Sequence, residues 1–175
     1  MKSVNKIAVI TLVVFVAVVF LTPSYAMGQF LFMGHPLEGK KAPGFSLSDL
    51  QGNEKTLDQL REGKAAILFF WATWCPHCRS QLPYLYSQRV PMQDKGIQFI
   101  LINIEETASA VNNYFQRANI DFPVFLDEKG EVSADYSILG VPSYFFIDAN
   151  GIVRAVKHEL PSNYEMLLKE GSGEE

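Results

Sequence analysis

Cysteine is scarce in this chain: two of 175 residues, Cys75 and Cys78. That excludes a disulfide-stapled scaffold, which needs several bridges to stand in for a small core. Zinc would need two ligands beyond the cysteines. Histidine is hardly commoner, at three; His77 lies between the cysteines, and His35 and His158 are not paired at ligand spacing. Basic charge is short as well, with 15 lysines and arginines against 19 acidic residues. Two of the 15, Lys2 and Lys6, fall in the first 26 residues, which hold no acid, so the remainder sets 13 basic against 19 acidic side chains. That balance argues against nucleic-acid binding. There is no internal repeat, and no low-complexity run beyond the two ends. Apolar side chains are plentiful, at 48% of the residues, enough for one domain to build a core unaided.

Charged side chains are missing altogether between Lys6 and Glu38. Residues 7–21 are apolar except for Thr11, and Ser24 and Ala26 are small residues suited to cleavage after position 26. A charged start followed by an apolar run is the pattern of an export signal. The run is shorter than the roughly 20 residues of a preferred membrane span. Phe30-Leu31-Phe32-Met33 prolongs the uncharged stretch, so the segment reads equally as an uncleaved anchor. In both cases the lysines stay in the cytoplasm and the rest is exported. The expected organisation is a signal peptide or membrane anchor over 1–26, a linker over 27–39, a folded domain over 40–170 and a disordered tail over 171–175.

The two cysteines stand in Phe69-Phe70-Trp71-Ala72-Thr73-Trp74-Cys75-Pro76-His77-Cys78. The apolar run 65–71 is long enough for a fully buried strand. Beyond it Leu82, Leu85 and Tyr86 share one helical face. The pair therefore sits where a strand hands over to a helix N-terminus, whose free N–H groups and dipole favour an anion. A thiolate is such an anion, so Cys75 is expected to be the nucleophile, with a lowered pKa. Two cysteines at this spacing can close a small ring. Cys75 can attack a partner's disulfide and Cys78 can resolve the mixed disulfide. As a structural bridge so small a loop would stabilise little.

Around this turn the pattern alternates. Residues 42–47 open the domain with a short edge strand, 51–53 turn, and 55–57 can form a second strand. Asp58 can cap a brief helix. Pro83 should kink the helix after Cys78, and Val90-Pro91 marks its end or a second break. Residues 97–104 read as a second buried strand and 109–118 as an amphipathic helix bearing Val111, Tyr114 and Phe115. A short strand near 124–127, a helical turn over 131–136 and a strand over 143–148 follow. Asn150-Gly151 signals a hairpin, with 152–156 pairing back. Ser162 and Glu165 match a capping box for a last helix. This order implies one mixed sheet with helices on both faces.

With these motifs the chain resembles the thioredoxin superfamily, and more narrowly its exported TlpA and ResA type of thiol–disulfide oxidoreductases. The resemblance spans residues 40–170. It rests on Ala42-Pro43 with Phe45-Ser46-Leu47, on the segment from Phe70 to Cys75 with Cys78, on Pro83, on Gly140-Val141-Pro142-Ser143, and on Phe146-Ile147-Asp148 with Gly151. It implies a thioredoxin-like α/β fold. It also implies catalysis by Cys75 and Cys78 with no cofactor beyond their disulfide, and tuning by Trp74, Pro76 and His77. Val141-Pro142 would be cis and would bind an extended substrate chain. The implied partners are proteins bearing cysteines or disulfides, an upstream membrane redox protein and, if the leader is kept, the membrane.

Three departures stand out. Phe69 sits where cytosolic thioredoxins keep a buried aspartate. Gln81 sits where many TlpA and ResA relatives have a glutamate. Pro76-His77 resembles the periplasmic oxidant DsbA. Glu105 and Glu106, after the second buried strand, are candidate proton acceptors for Cys78 and are expected to be solvated loop acids. The leading reading is a reductase of extracytoplasmic disulfides, for example in cytochrome c maturation or envelope redox homeostasis. The alternatives are a DsbA-like oxidant, a thiol peroxidase, although Ala72 stands where a peroxidase motif has threonine or serine, and a Sco-like copper-binding module using His158.

Overall fold

The computed structural model describes residues 34–169; the expectations for the leader, for residues 27–33 and for the tail fall outside them. Seven strands form one sheet in the order β2-β1-β5-β4-β3-β6-β7. Its centre is β3 (Ala65–Trp71), in which every side chain from Ala66 to Trp71 is fully buried. Such a run of apolar residues suits a strand covered on both faces. It pairs parallel with β4 (Ile97–Ile104), which pairs parallel with β5 (Val124–Asp127). On its other side it pairs antiparallel with β6 (Ser143–Ile147), which returns through a hairpin into β7 (Val153–Lys157). The opening strands β1 (Ser46–Asp49) and β2 (Glu54–Thr56) extend the far edge antiparallel.

Helix α2 (Pro76–Asp94) joins β3 to β4, and α3 (Ala108–Ala118) joins β4 to β5. Both crossovers move the same way across the sheet, so right-handed connections set both helices on one face. The ring contacts agree. Trp71 stacks on Phe115 of α3 at 5.6 Å, and Tyr144, next to Phe69 on that face, bonds Gln81 of α2. Phe70 points the other way, against Tyr136 just beyond α4 (Glu131–Asp135). Helices thus cover both faces, as the sequence implied. Among the described residues no helix is long and apolar enough to cross a membrane.

Four local expectations are corrected. The short helix α1 (Leu57–Arg61) is capped by Thr56, not Asp58: Thr56 Oγ1 accepts from Gln59 N–H, and the Gln59 side chain accepts from Thr56 N–H. Val90-Pro91 does not end helix α2, which continues past both prolines to Asp94. Each proline costs about 3 kcal/mol in a helix interior. Against that, Cys78, Leu82, Leu85 and Met92 are buried along one face, at about 1.5–3 kcal/mol for a large apolar side chain. Both prolines lie exposed on the outer side. Tyr86 is at the margin of the apolar face, 42% exposed and edge-on to Phe122. The last helix, α5 (Tyr164–Leu167), starts at Asn163 with no side-chain cap. Glu165 does not reach back to Ser162; its carboxylate pairs with Lys95, at the end of α2.

Residues 35–39, read as linker, belong to the fold. Gly39 N–H donates to Val153 O, Val153 N–H to Lys40 O, and Val156 N–H to the Glu38 carboxylate. Lys41 bridges Ile152. The segment covers the open edge of β7, where unpaired backbone groups would otherwise face solvent.

Candidate functional site

The parallel pairing of β3 with β4 brings the turn after Trp71 beside the turn after Ile104, and the start of β6 lies beside Phe70. Three segments distant in sequence therefore meet at one end of the sheet. Cys75 is the N-cap of α2, with φ −86° and ψ 106°, and Pro76 takes the first helical position, where its missing N–H costs nothing. The Cys75 sulfur accepts the Cys78 N–H at 3.1 Å, in the manner of a capping oxygen. The two cysteines are disulfide-bonded, with Cα atoms 5.3 Å apart. Cys78 is wholly buried and Cys75 is 4% exposed. Cys75 is thus far less open than an exposed nucleophile, though it is the outer of the two.

The peptide bond Val141-Pro142 is cis. Val141 O lies 3.6 Å from the Cys75 sulfur, so this loop stands directly against the pair. Trp74 is 61% exposed and His77 is exposed on the first turn of α2. Val141, Pro142 and His77 line a cleft together with Lys157, His158 and Pro161. His158, expected as a plain strand-end residue, bonds Pro142 O through Nδ1 at 2.9 Å.

The departures find their packing reasons here. Phe69 is fully buried and stacks on Tyr144 at 4.5 Å, so an apolar partner fills that position. Gln81 accepts a hydrogen bond from the Tyr144 hydroxyl, and burial pushes the Tyr144 phenol well above its ordinary pKa. Glu105 is exposed. Glu106 is not a solvated acid: its carboxylate accepts from Thr73 N–H at 2.6 Å, from the Thr73 hydroxyl, and from Asn103 Nδ2 at 2.8 Å. The contacts of His158 and Glu106 escaped the sequence reading. A signal for Glu106 existed, because parallel neighbours β3 and β4 must set the turns at their ends side by side. Among the described residues no group of three or more His, Cys, Asp or Glu is arranged to hold a metal ion.

The model of the AhpC/TSA family matches residues 38–156. The thiol-disulfide oxidoreductase ResA of Bacillus cereus (strain ATCC 10987 / NRS 248) is 33% identical over 152 residues, covering 83% of this chain and 87% of that relative. ResA of Bacillus subtilis (strain 168) is 32% identical over 139 residues, covering 77% of each. Among solved structures, a thioredoxin-family thiol:disulfide interchange protein from Chlorobium tepidum TLS is 30% identical with a TM-score of 0.63, covering 74% of this chain and 96% of that one. A secreted Mycobacterium tuberculosis disulfide oxidoreductase is 25% identical with a TM-score of 0.58, covering 67% and 84%. Fold, cysteine pair and relatives converge, and this chain belongs to the AhpC/TSA family as a thioredoxin-like, ResA-type thiol–disulfide oxidoreductase.

Proposed function

We propose that the chain reduces disulfides in extracytoplasmic proteins, with Cys75 as nucleophile and Cys78 as resolving thiol. The observation that carries this is the Cys75 sulfur at the N-cap of α2, taking up a helix N–H and facing Val141 O. A helix N-terminus favours the thiolate over the thiol at that position. The Cys75 thiolate attacks one sulfur of a substrate disulfide, the substrate S–S bond breaks, and one substrate thiolate leaves. Cys78 gives up its proton to water and its thiolate attacks the Cys75 sulfur, which breaks the mixed disulfide and releases the second substrate thiolate. Two electrons pass to the substrate and the Cys75–Cys78 disulfide remains. An upstream reductant on the same side of the membrane restores the dithiol. Val141 offers backbone groups to an extended substrate segment, and Pro142 shapes the cleft beside it.

The extracytoplasmic site rests on Lys2 and Lys6 ahead of the uncharged stretch, and a structural relative is described as secreted. Apocytochrome c and mispaired envelope proteins are the substrate classes this reading favours. The test is to replace Cys78 with Ser in cells and identify what remains disulfide-linked to Cys75. Extracytoplasmic proteins are expected; capture of cytoplasmic proteins alone would overturn the reading.

A further inference from the structure

We propose that Glu106 is a positioning residue for the thiol chemistry: its carboxylate fixes the turn that delivers Cys75 to the N-terminus of α2. The inference rests on Cys75 being the nucleophile.

Between the end of β3 and the start of α2 the chain turns through Ala72, Thr73 and Trp74. Within that turn, Cys75 N–H donates to Ala72 O at 3.2 Å. Trp74 projects outward, 61% exposed, and offers the turn little packing. Thr73 is the middle of the turn, and Glu106 holds it twice, through its backbone N–H and its hydroxyl. Hydrogen bonds to a carboxylate are about twice as strong as neutral ones.

Glu106 is itself held. It follows β4, and Asn103 stands in register with Trp71 of β3. Asn103 is fully buried in an otherwise apolar stretch of strand, and its amide donates to Glu106. Its Oδ1 is buried without a partner, as is Nε1 of Trp71, its register partner on β3. A buried amide in a strand costs stability unless it is bonded. The bond to Glu106 gives this asparagine its purpose: it anchors the group that anchors Thr73. Both Glu106 oxygens are occupied, which suits a clamp rather than a proton acceptor for Cys78.

The test compares Glu106→Ala, Glu106→Gln, Thr73→Val and Thr73→Ser in the full chain. Two quantities are read: the rate of exchange of the reduced protein with insulin disulfides, and the pH midpoint of Cys75 alkylation by iodoacetamide. Glutamine can accept from Thr73 N–H and Asn103 through its oxygen and donate to the Thr73 hydroxyl through its amide. Glu106→Gln is therefore expected to exchange at a near-native rate without a raised midpoint. Glu106→Ala should lose on the order of tenfold in rate, because a loosened turn misplaces the reacting sulfur. Its alkylation midpoint should move up, toward that of an unassisted thiol, which a loss of stability alone would not cause. Thr73→Val should move both quantities in the same sense and Thr73→Ser should restore them. A folded Glu106→Ala protein with native rate and midpoint overturns the inference. So does Glu106→Gln behaving like Glu106→Ala, which would assign the charge, not the position, as the active element. If Glu106→Ala does not fold, equal rates for Thr73→Val and Thr73→Ser overturn it. A native protein that exchanges no disulfide refutes the proposed function itself, a result distinct from native exchange that the variants leave untouched.

Discussion

At the scale of single residues, the chemistry hangs on which groups surround one sulfur. Helix N–H groups face Cys75, and His77 lies on the same helical turn, one position past Pro76. A hydrogen bond donated by its ring would stabilise the Cys75 thiolate and so the reduced form, which raises the reduction potential. The expected potential lies between about −270 mV for thioredoxin and about −120 mV for DsbA. His77→Ala should move it toward the thioredoxin value. Equilibration of both forms with glutathione buffers measures this, and an unmoved potential would mean that His77 is only a solvent-facing side chain. The cysteine pair and Pro142 were legible in the sequence because a short local motif carries each. The contacts of Glu106 and His158 were not. Both residues stood out in the sequence, but their contacts reach 33 and 16 positions away; strand order could have put Glu106 beside the cysteine turn, and no local pattern reports what either side chain bonds.

At the scale of elements, the places where sequence reasoning failed are places where two local preferences competed. Thr56-Leu57-Asp58-Gln59 carries a capping box that opens two residues before Asp58, and the box wins because it satisfies donors reciprocally. Ser162 and Glu165 match the same box, yet Lys95 takes the glutamate. Proline reads as a helix end, but a buried face on α2 outweighs it. The β6–β7 hairpin was legible from Asn150-Gly151. Gly151 has φ +85°, where a side chain is strained, and a Cβ there would also meet the Arg61 guanidinium at 2.9 Å and have to displace it. Asp148 secures this turn. It accepts from Ile152 N–H at 2.9 Å and from Arg154 Nε at 2.7 Å. Burial would push its carboxyl up, but these bonds outweigh it and hold the pKa below its usual value. A lowered folded-state pKa stabilises the fold fully above the unfolded value, about 3.9, and the gain is lost as pH falls through the folded value. Asp148→Asn should therefore lower Tm clearly at pH 7, and the deficit should narrow below about pH 4. A deficit that stays constant with pH would show that the charge of Asp148 contributes nothing.

At the scale of the whole molecule, the mixed sheet with helices on both faces followed from the order of apolar runs, because parallel strands need crossovers and crossovers need helices. The start of the domain did not follow. Residues 35–39 carry no strand pattern, and their place is fixed by one edge of a sheet that forms from distant parts of the chain. That edge makes a prediction about truncation. A protein beginning at residue 34 keeps Gly39 N–H on Val153 O, Val153 N–H on Lys40 O, the Glu38 carboxylate on Val156 N–H, and the His35 ring 5.0 Å from Phe145. One beginning at residue 42 loses all four, together with the partly buried Leu37. At about 1 kcal/mol net for each hydrogen bond, the shorter protein should be about 3 kcal/mol less stable. For a domain of this size that corresponds to a Tm lower by roughly 10 °C. The bared edge of β7 should also promote association at high concentration, since unpaired strand edges recruit other strands. Thermal denaturation and light scattering of the two proteins test both effects. Equal Tm values would mean that the covering segment is only draped on the sheet, and a boundary at residue 40 would then serve as well as one at 35.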